Sequence, residues 1–173
     1  MSTQSAFGRG YELGSNLAKE DLSMGPTVCS EEGGTVAAFS YLSWLSAFDR
    51  GGNVVWQRRI PDFKPLRFSD SPTSSGSPVF RRHYDEPGDI VLSLTKVDRS
   101  FALLQVGRLS AAKVEQPLVQ IVQSRRNYLI NMHSGESTVL APIDADILAA
   151  GLSFLWTIEE GPDGFPVLVR YFF

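Results

Sequence analysis

Cysteine is nearly absent from this chain. The single Cys29 cannot close an internal disulfide, so the folded state must rest on an apolar core, and an intracellular setting is expected. Its neighbours Glu31 and Glu32 are carboxylates, the reverse of the electropositive setting that activates a thiol. Histidine occurs only as His83 and His133. With neither His-x-x-x-His nor Cys-x-x-Cys present, no transition-metal spacing exists. No Gly-x-Ser-x-Gly elbow occurs, and neither the dinucleotide-binding glycine pattern nor the phosphate-cradling Gly-Lys-Ser/Thr loop is found. No enzyme and no cofactor are expected.

Long apolar runs are missing too. The most apolar stretches, 35–48 and 147–158, fall short of the roughly 18 residues that a membrane-spanning helix needs. No membrane partner is expected. The N-terminus, Met1-Ser-Thr-Gln-Ser-Ala-Phe-Gly-Arg9, has neither a basic n-region nor an apolar h-region, so a cytoplasmic location is expected. Positive charge is also in short supply: 16 Lys and Arg stand against 19 Asp and Glu, a net charge of -3, whereas a nucleic-acid binder carries a basic field. The pairs Arg58-Arg59, Arg81-Arg82 and Arg125-Arg126 read as solvated strand ends or ion-pair partners.

What is present suits a packed fold. Of 173 residues, 43% are apolar and 20% charged, which places the chain among globular proteins and gives a single all-β domain over 1–173. Period-2 alternation, β-branched and aromatic residues and frequent Gly or Pro breakers dominate. The clearest hairpin is Leu45-Ser-Ala-Phe-Asp49-Arg-Gly-Gly-Asn-Val-Val-Trp56, where the central residues supply the positive-φ positions of a turn between two apolar runs. Further strands are expected at 89–95, 100–106, 118–123, 127–132, 137–140, 154–159 and 166–172, with hairpin turns at 132–137 and 160–165. Residues 37–48 fit either a helix face, through Phe39, Leu42, Leu45 and Phe48, or a buried strand. Residues 144–152 read as a helical turn or two capped by an Asp and stopped near Gly151. The Ser-, Pro- and Gly-rich stretch 69–89 reads as a mobile loop.

One periodicity stands out. Trp56, Val106 and Trp156 occupy similar contexts at 50-residue intervals, each followed by a turn and a Pro-initiated segment at Pro65, Pro117 and Pro166. Three strand-turn-strand units of this kind suggest a β-trefoil-like barrel of short hairpins. Leu155-Trp156-Thr157-Ile158 resembles trefoil proteins where Trp-x-Ile precedes a hairpin. Tyr128-Leu-Ile-Asn131 with Ser134-Gly135 is similar to ricin-type lectin repeats, and a trefoil protease inhibitor is a neighbouring resemblance. The Gln-x-Trp signature of those lectins is absent, so no carbohydrate site carries over. A second reading starts from residues 47–56, which resemble the outer hairpin of a β-propeller blade. Because closed propellers need at least four blades of about 40 to 50 residues, that reading implies a fragment or a blade assembly. A two-sheet β-sandwich is the third.

The function expected from these features is recognition without catalysis: a binding protein that meets a carbohydrate or a protein partner through its loops. The residues proposed to make that contact are Arg81, Arg82, His83, Tyr84 and Asp85, beside the Ser/Pro loop, and Trp44, an aromatic able to stack or anchor. Inhibition of a protease through the protruding loop is one variant. A self-assembling subunit is another: the apolar stretch Val167-Leu-Val-Arg-Tyr-Phe-Phe173 is a liability unless it packs, so a homo-oligomer is a further expectation. An enzyme using His83 with Asp85 or Glu86 would require a concave pocket at that histidine.

Overall fold

The computed structural model describes residue 22 and residues 24–30, 33–72, 78–83, 86–110 and 122–172, with backbone alone at 69–72 and 78–83. Among these the chain is all β. A first antiparallel sheet, A, runs in sequence order through β1 (Thr27–Cys29), β2 (Thr35–Ala38), β3 (Trp44–Phe48) and β4 (Val54–Arg59). A two-stranded sheet, C, follows, β5 (Arg67–Pro72) with β6 (Pro78–His83). Sheet B is β7 (Gly88–Lys96), β8 (Phe101–Leu109), β9 (Val122–Asn131) and β10 (Ser137–Val139), and sheet D is β11 (Asp146–Gly151), β12 (Phe154–Glu160) and β13 (Pro166–Phe172). Each is a meander in which neighbours in sequence are neighbours in space. None of these sheets closes into a barrel, so the closed barrel expected of a trefoil is not formed by the described residues.

The turns are set by local chemistry. In the first hairpin, Asp49 Oδ1 accepts from the Asn53 backbone at 2.9 Å and Asp49 Oδ2 from the Asn53 amide at 3.0 Å, while Gly52 takes a φ of 80°. A left-handed residue there lets the strands return with the native twist. Asp98 Oδ1 caps the β7–β8 turn by accepting from the backbone of Ser100 and Phe101, both at 2.7 Å. Asn131 Oδ1 does the same for His133 and Ser134 at 2.9 and 3.2 Å, and Gly135 follows with a φ of 73°. The hairpins read from sequence at 45–56, 132–137 and 160–165 are all formed.

Sheet B lies between the other two. Its Ala102, Leu104, Val106, Tyr128 and Ile130 pack with Val36, Leu45, Ala47 and Trp56 of sheet A, whereas Leu103, on the opposite side of β8, packs with Ile147 and Leu155 of sheet D. This explains the sequence of β8, Phe101-Ala-Leu-Leu-Gln-Val-Gly-Arg-Leu109, in which polar and apolar positions do not alternate: a strand covered on both faces has no water-facing side. The first strands of the sheets meet, β7 lying against both β1 and β11.

Two polar clusters join the layers. Gln105, fully buried, donates through Nε2 to Asn127 Oδ1 at 3.1 Å and to the Ala145 carbonyl at 2.9 Å, and its Oε1 accepts from the Ile147 backbone at 3.3 Å. Its amide thereby holds the start of β11 against sheet B. On the other face, buried Asp89 accepts from the Lys64 backbone at 2.7 Å and pairs with Arg108 at 3.1 Å and Arg126 at 2.6 Å. Arg126 also donates to the Asp62 carbonyl at 2.9 Å, and Tyr128 Oη to the Pro61 carbonyl at 3.0 Å, so the segment 60–66 leaving sheet A is fastened to sheet B.

Sequence expectations change, or are decided between alternatives, at four places. Residues 144–152 form no helix: 146–151 are β11, because Ile147 fills a slot beside Leu103 and Leu155 while its N–H is taken by Gln105. Tertiary packing outweighs the local helical preference. Residues 37–48 resolve into the end of β2, a turn, and β3. The 50-residue spacing is half structural. Val106 and Trp156 both lie on the second strand of a meander, but Trp56 lies on a fourth strand, and the β5–β6 hairpin intervenes between sheets A and B. The backbone of 69–72 and 78–83 pairs within that hairpin, whereas 73–77 lie outside the described residues.

Replacing Gln105 with Leu leaves the Ala145 carbonyl and the Ile147 N–H without partners in a dry interface. A loss of about 2–4 kcal/mol in urea denaturation is expected, with the β11–β13 amides the first to gain hydrogen exchange. Gly135→Ala should cost about 1–2 kcal/mol on two grounds, the left-handed backbone and a Cβ that would sit 2.7 Å from Arg58 Cγ and Trp56 Cε3.

Candidate interaction surface

Among the described residues, sheet D is covered on one face only. Along β12, Leu155 and Thr157 turn inward and are buried, which sends Phe154, Trp156 and Ile158 outward. Register places Phe172 opposite Phe154, Arg170 opposite Trp156 and Leu168 opposite Ile158, so β13 adds a second row to the same outer face. Phe172 is 69% exposed, Leu168 59% and Ile158 37%, with Leu148 of β11 at 51%. Leu152 and Phe165 in the adjoining turns are exposed as well. Of twelve exposed large apolar side chains among the described residues, eight belong to sheet D and its turns, so apolar exposure is concentrated on this sheet.

One charge sits within the patch. The Arg170 guanidinium lies 4.4 Å from the Phe172 ring centroid, 5.1 Å from Phe154 and 5.4 Å from Trp156. Three ring faces hold the planar guanidinium.

The other side of β13 carries a second group. Glu159 accepts from Tyr171 Oη at 2.6 Å and from Thr157 Oγ1 at 2.8 Å, and these two donors, Tyr171 foremost, hold its carboxyl below the ordinary range. The same bond pushes the Tyr171 phenol upward, since losing its proton would end its donation to a carboxylate. Val167 and Tyr171 on this side are exposed too, and Val169 between them is half-buried. Among the described residues β13 is therefore an edge strand with apolar, largely exposed side chains on both faces.

The other edges are protected or short. β4 ends in Gln57-Arg58-Arg59, β1 and β10 are three residues each, and the inner strands β7 and β11 lie against one another. Charge, brevity and mutual cover are the usual ways in which edges avoid pairing with other chains. β13 has none of them beyond Pro166 at its start and the stacked Arg170.

The residues singled out from sequence fall elsewhere. Arg81, Arg82 and His83 lie on β6, where their backbones pair with Ser69, Phe68 and Arg67. Tyr84 and Asp85 are outside the described residues. Trp44 begins β3, half-buried, with the guanidinium of its cross-strand partner Arg59 at 5.1 Å over the ring, so one of its stacking faces is already occupied. Arg125 and Arg126 alternate to opposite faces of β9, Arg125 reaching Asp144 at 3.1 Å and Asp146 at 2.8 Å, Arg126 reaching Asp89. Asp144 and Asp146, read from sequence as a helix cap, are thus ion-pair partners. No known protein-family model matches this chain, and comparison with curated proteins finds no relative.

Replacing Tyr171 with Phe should raise the Glu159 carboxyl titration toward the ordinary value of about 4.3. Because the Glu159 pKa is depressed by folding, the stabilisation it carries is present above the unfolded-state value and is lost as pH falls through the folded one. Carbon-detected NMR titration of Glu159 tests this, and an unmoved midpoint in the variant would contradict it.

Proposed function

We propose that this chain is a non-enzymatic assembly subunit that joins a second copy of itself through β13. The observation that carries the reading is the edge strand: among the described residues it has apolar, largely exposed side chains on both faces, in a sheet that has three strands where sheets A and B have four. Adding a strand satisfies its outward N–H and C=O groups and covers its side chains in one step.

A copy of the same strand fits well. In an antiparallel pair centred on Val169, Val167 faces Tyr171 of the copy and Leu168 faces Arg170, on opposite sides of the joined sheet. Branched aliphatic against aromatic is a favourable cross-strand match, and this register keeps the only charged residue of β13 away from its own counterpart. A two-fold contact of this type uses one patch per subunit and closes on itself. It joins two three-stranded sheets into one of six, with Phe172 opposite Pro166 of the copy and the two Leu168 side chains diagonal neighbours on the outer face.

The fold reading that goes with this is the blade assembly in place of the trefoil. Three consecutive meanders, stacked face to face with their first strands adjacent, support it, since propeller blades are four-stranded meanders ranged around a common axis. Recognition of a carbohydrate or protein through Trp44 and the 81–85 segment has less support, given the Arg59 stack on Trp44.

Sedimentation velocity should show a concentration-dependent shift from 19.1 kDa to twice that mass. Val169→Lys would bring two ammonium groups together at the two-fold and should weaken the dimer about 30- to 100-fold, the equivalent of roughly 2–3 kcal/mol. Val139→Lys, on the exposed short edge of sheet B, should leave it unchanged. A chain that stays monomeric at high concentration, or a dimer indifferent to Val169→Lys, would overturn the reading.

A further inference from the structure

The geometry points to a small-oxyanion site at the far end of sheet B, independent of the assembly surface, in which Arg108 grips a phosphoryl group. Buried Asp89 arranges it. Its carboxylate is 1% exposed and is spent on protein donors: Arg108 Nη1 at Oδ1, and Arg126 Nη2 with the Lys64 N–H at Oδ2. Arg126 is largely used up, because its Nη1 goes to the Asp62 carbonyl. Arg108 is not.

Pinned through Nη1 alone, Arg108 has no protein acceptor for Nε or Nη2 among the described residues, although its side chain is only 26% exposed. That edge of a guanidinium is the fork that takes two oxygens of a phosphate or carboxylate side by side. Neither Nε nor Nη2 is shut away from solvent, so the fork stands open to an incoming acceptor. Arg108 borders a cleft of about 420 Å³, bounded also by Lys64, Asp62, Ser124, Arg126 and Asp89. The Lys64 ammonium and the Ser124 hydroxyl make no bond to the described protein, so a second charge and a further donor are at hand.

Charge balance sets the ligand class. Three cations, Lys64, Arg108 and Arg126, face two carboxylates, of which Asp89 is internal and Asp62 stands at the mouth. One positive charge remains uncompensated beside a partly desolvated guanidinium. A phosphoryl dianion meets both the fork and the lysine, whereas a carboxylate monoanion offers the fork geometry with half the charge. The cleft has room for more than the phosphoryl group itself, which suits a phosphorylated small molecule or side chain as well as free phosphate.

Titration of the isotope-labelled protein with inorganic phosphate, at constant ionic strength maintained with chloride, tests the site. Amide shifts at Lys64, Asp89, Arg108 and Ser124 should saturate in the millimolar range, sulfate should act similarly, and acetate should bind several-fold more weakly. Lys64→Gln and Ser124→Ala, which leave the Asp89 contacts intact, should each weaken phosphate binding about three- to tenfold. Arg108→Lys, keeping charge and losing the fork, should abolish saturation while the Asp89 pair still folds the chain. Shifts that spread over many lysines and arginines without saturating, or an affinity that Lys64→Gln and Ser124→Ala both leave untouched, would overturn it.

Discussion

Sheet B has no face left for water, because sheet A covers one side and sheet D the other, and most of the architecture follows from that confinement. A strand in such a place must be apolar on successive residues, as β8 is, and any polar group it carries must find its partners inside. Gln105 is the case in point: its amide is placed where the backbone of β11 arrives, so a group that would be a defect in an empty core becomes the link that orients sheet D. Asp89 performs the equivalent service on the opposite face, drawing together β8, β9 and the segment that leaves sheet A. Buried charge of this kind is seldom a net source of stability, but it fixes one arrangement among several that an apolar interface alone would tolerate.

The same layering explains where the surface is unusual. In a stack, only the terminal sheets keep an open face, and sheet D is terminal and apolar at once. Its outer rows of Phe154, Trp156, Ile158, Leu168 and Phe172 have the composition of an interior position. Arg170 makes that surface tolerable in water without making it polar, because the guanidinium rests on aromatic rings.

What could be read from the sequence was governed by how local the determinant is. Turns were legible because Asp49, Gly52, Asn131 and Gly135 act within a few residues of themselves. The divergence of Arg125 from Arg126 was also legible in principle, since adjacent strand residues must point to opposite faces. The identity of 146–151 was not: Asp-Ile-Leu-Ala-Ala-Gly has no strand signature of its own, and its conformation is imposed by Gln105 and Leu155, which are distant in sequence or joined to it only by folding. Nor could Asp89 be told from a turn aspartate, because its partners Arg108 and Arg126 lie 19 and 37 residues away. The apparent repeat failed for a related reason. The inserted β5–β6 hairpin shifts the count, so that equal spacing in the chain joins a fourth strand to two second strands.

That insertion is attached in an economical way. Pro65 and Asp89 meet in a backbone bridge, and the Asp89 N–H reaches the Lys64 carbonyl at 2.7 Å, so the chain departs from and returns to a single point on the framework. Beyond the buried Leu66 and the Phe68 ring set edge-on to Tyr41, the excursion can vary in length at small cost, since closing a longer loop adds only a slowly growing entropic penalty. The junction can therefore host a graft of different size or sequence, with the Asp89 clasp acting as the staple at its base.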